Sequence, residues 1–114
     1  MSFSLSTRKV DGVIVVDMRG RLFMGEAVLL FRSTMRRFME DGSRKFVLNL
    51  SEVSKIDSSG VGELITSYAS LRNREGDMKL LNLTKATKDL LQMTKLLTVF
   101  DTYDDEAAAV AAAQ

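Results

Sequence analysis

The residues best suited to chemistry lie in one short segment, KIDSSGVGEL, which runs from Lys55 to Leu64. It places one acid, Asp57, directly before two serines, Ser58 and Ser59. A serine hydroxyl can act as a nucleophile, cap a helix or accept a phosphate, and nearby glycines can cradle a nucleotide. The segment therefore has four alternative functions, which the rest of the sequence must separate.

Catalytic and nucleotide-binding functions are the weakest of the four. The chain contains no His and no Cys, which excludes a Ser-His-Asp triad, a thiolate nucleophile and a His- or Cys-ligated metal. A Ser–Lys pair needs a desolvated lysine, and nothing around Lys55 indicates one. The pair Gly60 and Gly62 lacks the third glycine of a dinucleotide fingerprint, because Ile65 stands there, and no P-loop motif occurs. The sequence thus predicts a protein that is not an enzyme and has no cofactor or metal.

A helix cap and a regulated surface remain open. Asp57, Ser58 or Ser59 could each accept a hydrogen bond from the first turn of a following helix. A cap alone does not explain two glycines in that turn, since glycine costs a helix about 1 kcal/mol relative to alanine. A phosphate on a serine here would meet free N–H groups and the positive end of the helix dipole. A partner docked over the same place would face about two new negative charges beside Asp57.

The composition is that of a globular protein. Of 114 residues, 46% are hydrophobic and 27% are charged, which predicts one domain spanning residues 1–114. The net charge of +1 gives no electrostatic reason to expect nucleic acid or a membrane as a partner. The first ten residues, MSFSLSTRKV, lack the apolar core of a signal peptide, so we expect a cytoplasmic location.

Hydrophobic patterns predict the elements of the first half of the chain. Alternation over residues 3–8 indicates a strand, and Asp11-Gly12 is a hairpin signal before a second strand, Val13 to Met18. Gly20 is expected to break that strand, with RLF as a short further strand. A helix follows, and its apolar face is predicted from the spacing of five residues: Met24, Val28, Phe31, Met35 and Phe38.

The second half alternates strands and helices. The run KFVLNL indicates a central strand buried on both faces, and MKLLNL indicates another buried strand. A helix between them carries apolar residues from Val61 to Leu71. The segment TKATKDLLQMTKLL is predicted to be helical, capped by Thr84 or Thr87, and TVFDTY to be a short strand. Asp104 or Asp105 should cap a final alanine-rich helix, which could be docked or frayed. This order predicts an α/β fold.

Three segments make the sequence resemble a known family. The strand FVLNL, the motif IDSSGVG and the downstream MTKLLTVF closely resemble the STAS domain of bacterial anti-sigma factor antagonists, and VDGVIVVDMRGRL extends the match loosely toward the N-terminus. The resemblance implies a STAS-like mixed β-sheet with helices packed mainly on one face. It also implies regulation of transcription by partner switching. The unphosphorylated antagonist binds an anti-sigma factor that is also a serine kinase, which frees the sigma factor. That kinase then phosphorylates the antagonist, and a serine phosphatase reverses the modification.

The resemblance also assigns individual residues. Ser58, the first serine after the acid, is the implied phosphate acceptor, and Ser59 is the alternative acceptor or a cap. Asp57 would shape the loop and contribute to docking, while Gly60 and Gly62 would leave room for the partner.

The sequence departs from the family where many members have an acid after Gly-x-Leu. Here Gly20-Arg21-Leu22 is followed by Phe23 and Met24. These two residues are either exposed apolar anchors for a different partner surface or a cap on the core. An alternative function is a constitutive STAS interaction subunit of a stress-signalling scaffold or a lipid transporter.

Overall fold

The computed structural model describes residues 2–114, which form a five-stranded sheet and four α-helices. The strands are β1 (Ser4–Val10), β2 (Val13–Leu22), β3 (Lys45–Ile56), β4 (Asp77–Leu81) and β5 (Thr102–Tyr103). The helices are α1 (Glu26–Glu40), α2 (Ser58–Asn73), α3 (Lys85–Met93) and α4 (Glu106–Ala113). None of the helices within residues 2–114 is long and apolar enough to cross a membrane.

The sheet is mixed, with its strands in sequence order from β1 to β5. Strands β1 and β2 form an antiparallel hairpin, whereas every later neighbour is parallel. Asp11 and Gly12 form the predicted hairpin turn, and both have positive φ, at 50° and 82°. This is the backbone that a two-residue hairpin turn of type I′ requires.

Strand β3 is the central strand, as its apolar run predicts. Leu48 belongs to a large core that also contains buried residues of α1, α2 and α3, such as Phe31, Leu64 and Leu91. Val47, which points the opposite way, belongs to a smaller core with α4. Three helices thus cover one face and only the short α4 covers the other, which confirms the predicted α/β architecture.

The predicted break at Gly20 is wrong, because β2 continues to Leu22. Gly20 has φ of +96° and lies between two register irregularities in the pairing with β3. A Cβ at this position would lie 3.2 Å from the Phe3 Cα and closer still to the Ser2 carbonyl oxygen. Glycine therefore allows an irregularity in the strand where the Ser2 and Phe3 backbone approaches closely, and it does not end the strand.

Other predicted boundaries also change. Helix α1 begins at Glu26, so Met24 lies before the helix and is 75% exposed instead of sharing its buried face. Helix α3 ends at Met93, and Leu97–Val99 form a 3₁₀ turn, so TVFDTY contributes only Thr102–Tyr103 to the sheet. The longer predicted helix and strand were wrong because the apolar pattern continues into this turn, where Leu96 and Leu97 pack on the large core outside a regular helix.

The alanine-rich helix α4 is docked, which decides the question that the sequence left open. Asp105 caps it by accepting a hydrogen bond from the Ala108 N–H at 2.9 Å. Val110 is buried against the sheet together with Ala109 and Ala113. Arg8 on β1 donates to Glu106 at the start of the helix, with Nη1 3.0 Å from Oε2. Small side chains let the helix approach the sheet closely, and the ion pair fixes its first turn.

Candidate functional site

Asp57 determines the shape of the loop that carries the two serines. It follows β3 in an extended conformation and is the N-cap of α2. Its Oδ1 accepts a hydrogen bond from the Gly60 N–H, and its Oδ2 accepts one from the Met24 N–H, both at 2.9 Å. One carboxylate therefore caps α2 and also ties its first turn to the segment that follows β2. Of the three caps that the sequence allowed, Asp57 is the one observed.

The two serines lie at the start of α2 but differ in exposure. Ser58 is the first residue of the helix and is exposed, whereas Ser59 is half-buried. Neither hydroxyl makes a hydrogen bond to another group in residues 2–114, and Ser58 is the more accessible of the two. Lys55 is exposed near the end of β3. A Ser–Lys pair requires a desolvated lysine, and the exposed Lys55 does not meet this requirement.

Gly60 and Gly62 serve different purposes. Gly60 is buried, and a Cβ there would lie 2.7 Å from the Ile56 Cγ1 and closer still to the Leu22 carbonyl oxygen. The close packing of the Gly60 backbone against Leu22 and Ile56 therefore requires a glycine at this position. Gly62 is exposed, and a Cβ there would have no atom within 4 Å. Of the two glycines, only Gly62 leaves open space on the surface of the helix.

An apolar groove begins beside the serines. It is an open groove of about 460 Å³ between α1 and α2, and Met24, Val28, Leu29, Ser59 and Gly62 are among its lining residues. Met24 and Leu29 are 75% and 57% exposed, and a cluster of large exposed apolar side chains is typical of an interaction surface.

Phe23 lies in a neighbouring depression and is only half-buried. The Arg21 guanidinium carbon lies 6.0 Å from the centre of its ring. Met24 thus points to solvent, as predicted for an exposed anchor, and does not cap the core. Phe23 is half-buried and so lies between an exposed anchor and a cap on the core.

An ion pair between an exposed arginine and a buried glutamate lies along the same groove. Glu63 is only 6% exposed, and both of its carboxylate oxygens accept hydrogen bonds from Arg32, at 3.1 and 3.0 Å. The hydrogen bonds to Glu63 raise the pKa of Arg32. This pair links α1 to α2. Sequence reasoning missed it, because residues 31 positions apart carry no local signal of contact.

The arrangement offers an exposed, unpartnered hydroxyl beside an apolar groove. Because Asp57 uses both oxygens to hold backbone N–H groups, it is placed to stabilise the loop and not to remove a proton from Ser58. The site is suited to binding a partner and to carrying a modification on a serine.

Comparison with known proteins gives the family. The STAS domain model matches residues 4–109. The BtrV protein of Bordetella bronchiseptica is 24% identical over 108 residues, which cover 95% of this chain and 92% of that protein. An anti-sigma F factor antagonist of Paenibacillus polymyxa is 23% identical over 110 residues, which cover 96% of this chain and 94% of the relative.

Solved structures have the same fold. The unphosphorylated form of the anti-sigma factor antagonist SpoIIAA superposes with a TM-score of 0.82 at 22% identity, covering 96% of this chain and 95% of SpoIIAA. The phosphorylated form of SpoIIAA from Bacillus superposes with a TM-score of 0.76 at 23% identity, covering 99% and 100%. The family match spans most of the chain and agrees with the mixed sheet and its helices. The protein therefore belongs to the STAS domain family.

Proposed function

We propose that this protein is a cytoplasmic anti-sigma factor antagonist whose partner is an anti-sigma factor serine kinase. The unphosphorylated chain binds the kinase and so releases a sigma factor. Phosphorylation of Ser58 by the kinase ends the interaction, and a serine phosphatase restores it. The observation that carries the proposal is the exposed Ser58 hydroxyl at the first residue of α2, next to the apolar groove.

The proposed binding surface combines the helix start with the segment after β2. It comprises Asp57, Ser58, Ser59, Gly60, Gly62, Phe23 and Met24. Gly60 contributes by letting the helix start pack closely on Leu22, which sets the position of the serines, whereas Gly62 leaves open surface. Met24 and the neighbouring Leu29 supply exposed apolar area that a partner would bury.

Physical chemistry explains how one phosphate could switch this surface. At the start of α2 a phosphate would meet free N–H groups and the positive end of the helix dipole, so the fold tolerates it. A partner packed on Met24 would instead have to bury about two negative charges beside Asp57. Arg32, which lines the groove, already donates to both oxygens of Glu63. Phosphorylation should therefore oppose binding more strongly than folding.

The relatives support the same conclusion. The Paenibacillus protein is named an anti-sigma F factor antagonist, and SpoIIAA has been solved with and without phosphate. The matched family model and these relatives favour a regulatory binding protein over an enzyme.

The first experiment identifies the acceptor. The full chain is incubated with its kinase and ATP, and the product is examined by mass spectrometry. We expect one phosphate, located on Ser58, that is absent in Ser58→Ala and retained in Ser59→Ala. Undiminished phosphorylation of Ser58→Ala would refute the assignment, and loss in Ser59→Ala alone would move the acceptor to Ser59.

The second experiment tests the switch. Ser58→Asp should bind the kinase more weakly than the wild-type chain in calorimetry. Thr98→Asp is the matched control, because Thr98 is exposed and lies outside the groove. Equal affinities for wild type and Ser58→Asp would contradict the charge mechanism. Recovery of a transporter ATPase, and no kinase, in a pull-down would favour the alternative of a constitutive interaction subunit.

A further inference from the structure

A second cavity, of about 270 Å³, adjoins the apolar groove between α1 and α2. The two share Arg32, Glu63 and Thr66 as lining residues, so the ion pair lies between them. The second cavity differs in character, because its further walls carry Arg36 and Arg74. We call it the arginine cavity. The proposed binding surface for the kinase uses none of the residues that are specific to it.

Arg36 and Arg74, which line the arginine cavity and not the apolar groove, have no acidic partner in the part of the chain that the structure describes. Within residues 2–114, neither Arg36 nor Arg74 forms an ion pair with a carboxylate. Arg74 reaches across from the end of α2, and its Nη1 lies 3.8 Å from the Met39 Sδ and 3.5 Å from the Ser70 carbonyl oxygen. Both are weak acceptor contacts for a guanidinium. Most donors of the two side chains thus remain free at one cavity.

A serine in the same wall also offers a free hydroxyl. Ser67 is 4% exposed and lines the arginine cavity. Its hydroxyl makes no hydrogen bond to any group in residues 2–114, although other hydroxyls of the helices, such as that of Thr66, donate to a carbonyl one turn earlier. Because no side-chain oxygen in residues 2–114 is both buried and without a partner, the unbonded Ser67 hydroxyl must be open to the cavity, where it can donate to a group that enters.

We propose that the arginine cavity binds a phosphate group, as the free ion or as the phosphoryl end of a small monoester. Guanidinium groups donate paired hydrogen bonds that match phosphate oxygens, and the Ser67 hydroxyl adds a donor from the wall that α2 forms. Three arginines and two glutamates line the cavity, which leaves one positive charge. Glu63 is neutralised by Arg32, so Glu40 is the one carboxylate that opposes an anion. This inference does not depend on the proposed partner switch.

Titration of the isotope-labelled full chain with inorganic phosphate, followed by NMR, tests the site. Ionic strength is held constant with chloride. We expect saturable shifts of the Ser67 amide and of the Arg36 and Arg74 side-chain signals. Shifts that do not saturate, or that occur equally with chloride, would show nonspecific attraction of anions without a binding site and would overturn the proposal.

Variants make the test specific. Arg36→Gln and Arg74→Gln should each weaken phosphate binding by about tenfold, the loss expected for a charged hydrogen-bond donor. Arg37→Gln is the matched control, because Arg37 is an exposed arginine of α1 that does not line the cavity. Glu40→Gln should tighten binding. Equal weakening by Arg37→Gln, or weaker binding by Glu40→Gln, would contradict the assigned geometry.

A parallel titration with glycerol phosphate separates the two sources of the ligand. Tighter binding of glycerol phosphate than of phosphate assigns the cavity to a monoester, and the reverse order assigns it to the free ion. Failure of both to saturate overturns the proposal. Ser58→Ala should leave either affinity unchanged, which keeps this result separate from the test of the partner switch.

Discussion

Substitution of each glycine in IDSSGVG by alanine should have opposite effects on stability. Both residues lie in the first two turns of α2, and both would gain the same methyl group. At Gly60 the methyl would overlap the Leu22 carbonyl oxygen and the Ile56 side chain, whereas at Gly62 it would meet nothing within 4 Å. The two variants are therefore matched in chemistry and differ only in packing.

The expected magnitudes follow from these contacts. Overpacking a closely packed position costs about 1–3 kcal/mol, and the upper end applies to Gly60 because the overlapped Leu22 oxygen is backbone. Replacement of glycine by alanine in a helix raises the free energy of unfolding by about 1 kcal/mol. Gly60→Ala should thus lower the free energy of unfolding by about 2 kcal/mol, while Gly62→Ala should raise it by about 0.5–1 kcal/mol.

Urea denaturation followed by circular dichroism measures this difference. With a denaturant slope of about 2 kcal/mol/M, the midpoints of the two variants should differ by more than about 1 M. The reasoning would be refuted by equal midpoints, or by a Gly62→Ala variant that is less stable than Gly60→Ala. An unchanged slope is needed to attribute the shift to the folded state.

Three further predictions concern the cap, pH and the apolar surface. Asp57→Ala should lower the free energy of unfolding by about 2 kcal/mol, because two backbone N–H groups lose their acceptor. Acid should destabilise the fold: hydrogen bonds from Arg8 lower the pKa of Asp17 and Glu106 from their usual 3.8 and 4.5. Their stabilisation is therefore complete above about pH 5 and is lost as the pH falls through the lowered values. Met24→Ala should weaken kinase binding several-fold with little change in stability, because the side chain is 75% exposed.

Each of these predictions has a control. Asp57→Asn keeps one acceptor oxygen and should be less damaging than Asp57→Ala in the same urea assay. Arg8→Gln should remove the loss of stability in acid that Asp17 and Glu106 cause, measured as urea unfolding midpoints between pH 3 and pH 6. An unchanged pH profile would contradict the role assigned to Arg8. Met93→Ala removes an equally exposed methionine, 80% exposed on α3, and should leave kinase affinity unchanged. A similar loss in both methionine variants would argue against a specific surface.

Sequence reasoning succeeded where the signal was local. The turn at Asp11-Gly12 and the apolar run of β3 each depend on a few neighbouring residues. Each observed side-chain cap of a helix is one of the two or three that the sequence allowed: Asp57, Thr84 and Asp105. The prediction failed at Gly20, because glycine is typical both of a strand end and of a bulge within a strand. Only the strand pairing, together with the close approach of the Ser2 backbone to Gly20, shows which of the two is present.

The sequence by itself determined the element order, the absence of catalytic His and Cys, and the segment that carries Asp57 and Ser58. These follow from residue type and spacing, which require no knowledge of distant contacts. The tertiary structure alone decided that Asp57 also holds the Met24 N–H, that Gly60 is needed for packing while Gly62 faces open space, and that Arg36 and Arg74 share a cavity. Each of these depends on residues that lie far apart in the chain, and only the packing of α1 and α2 on the sheet brings them together.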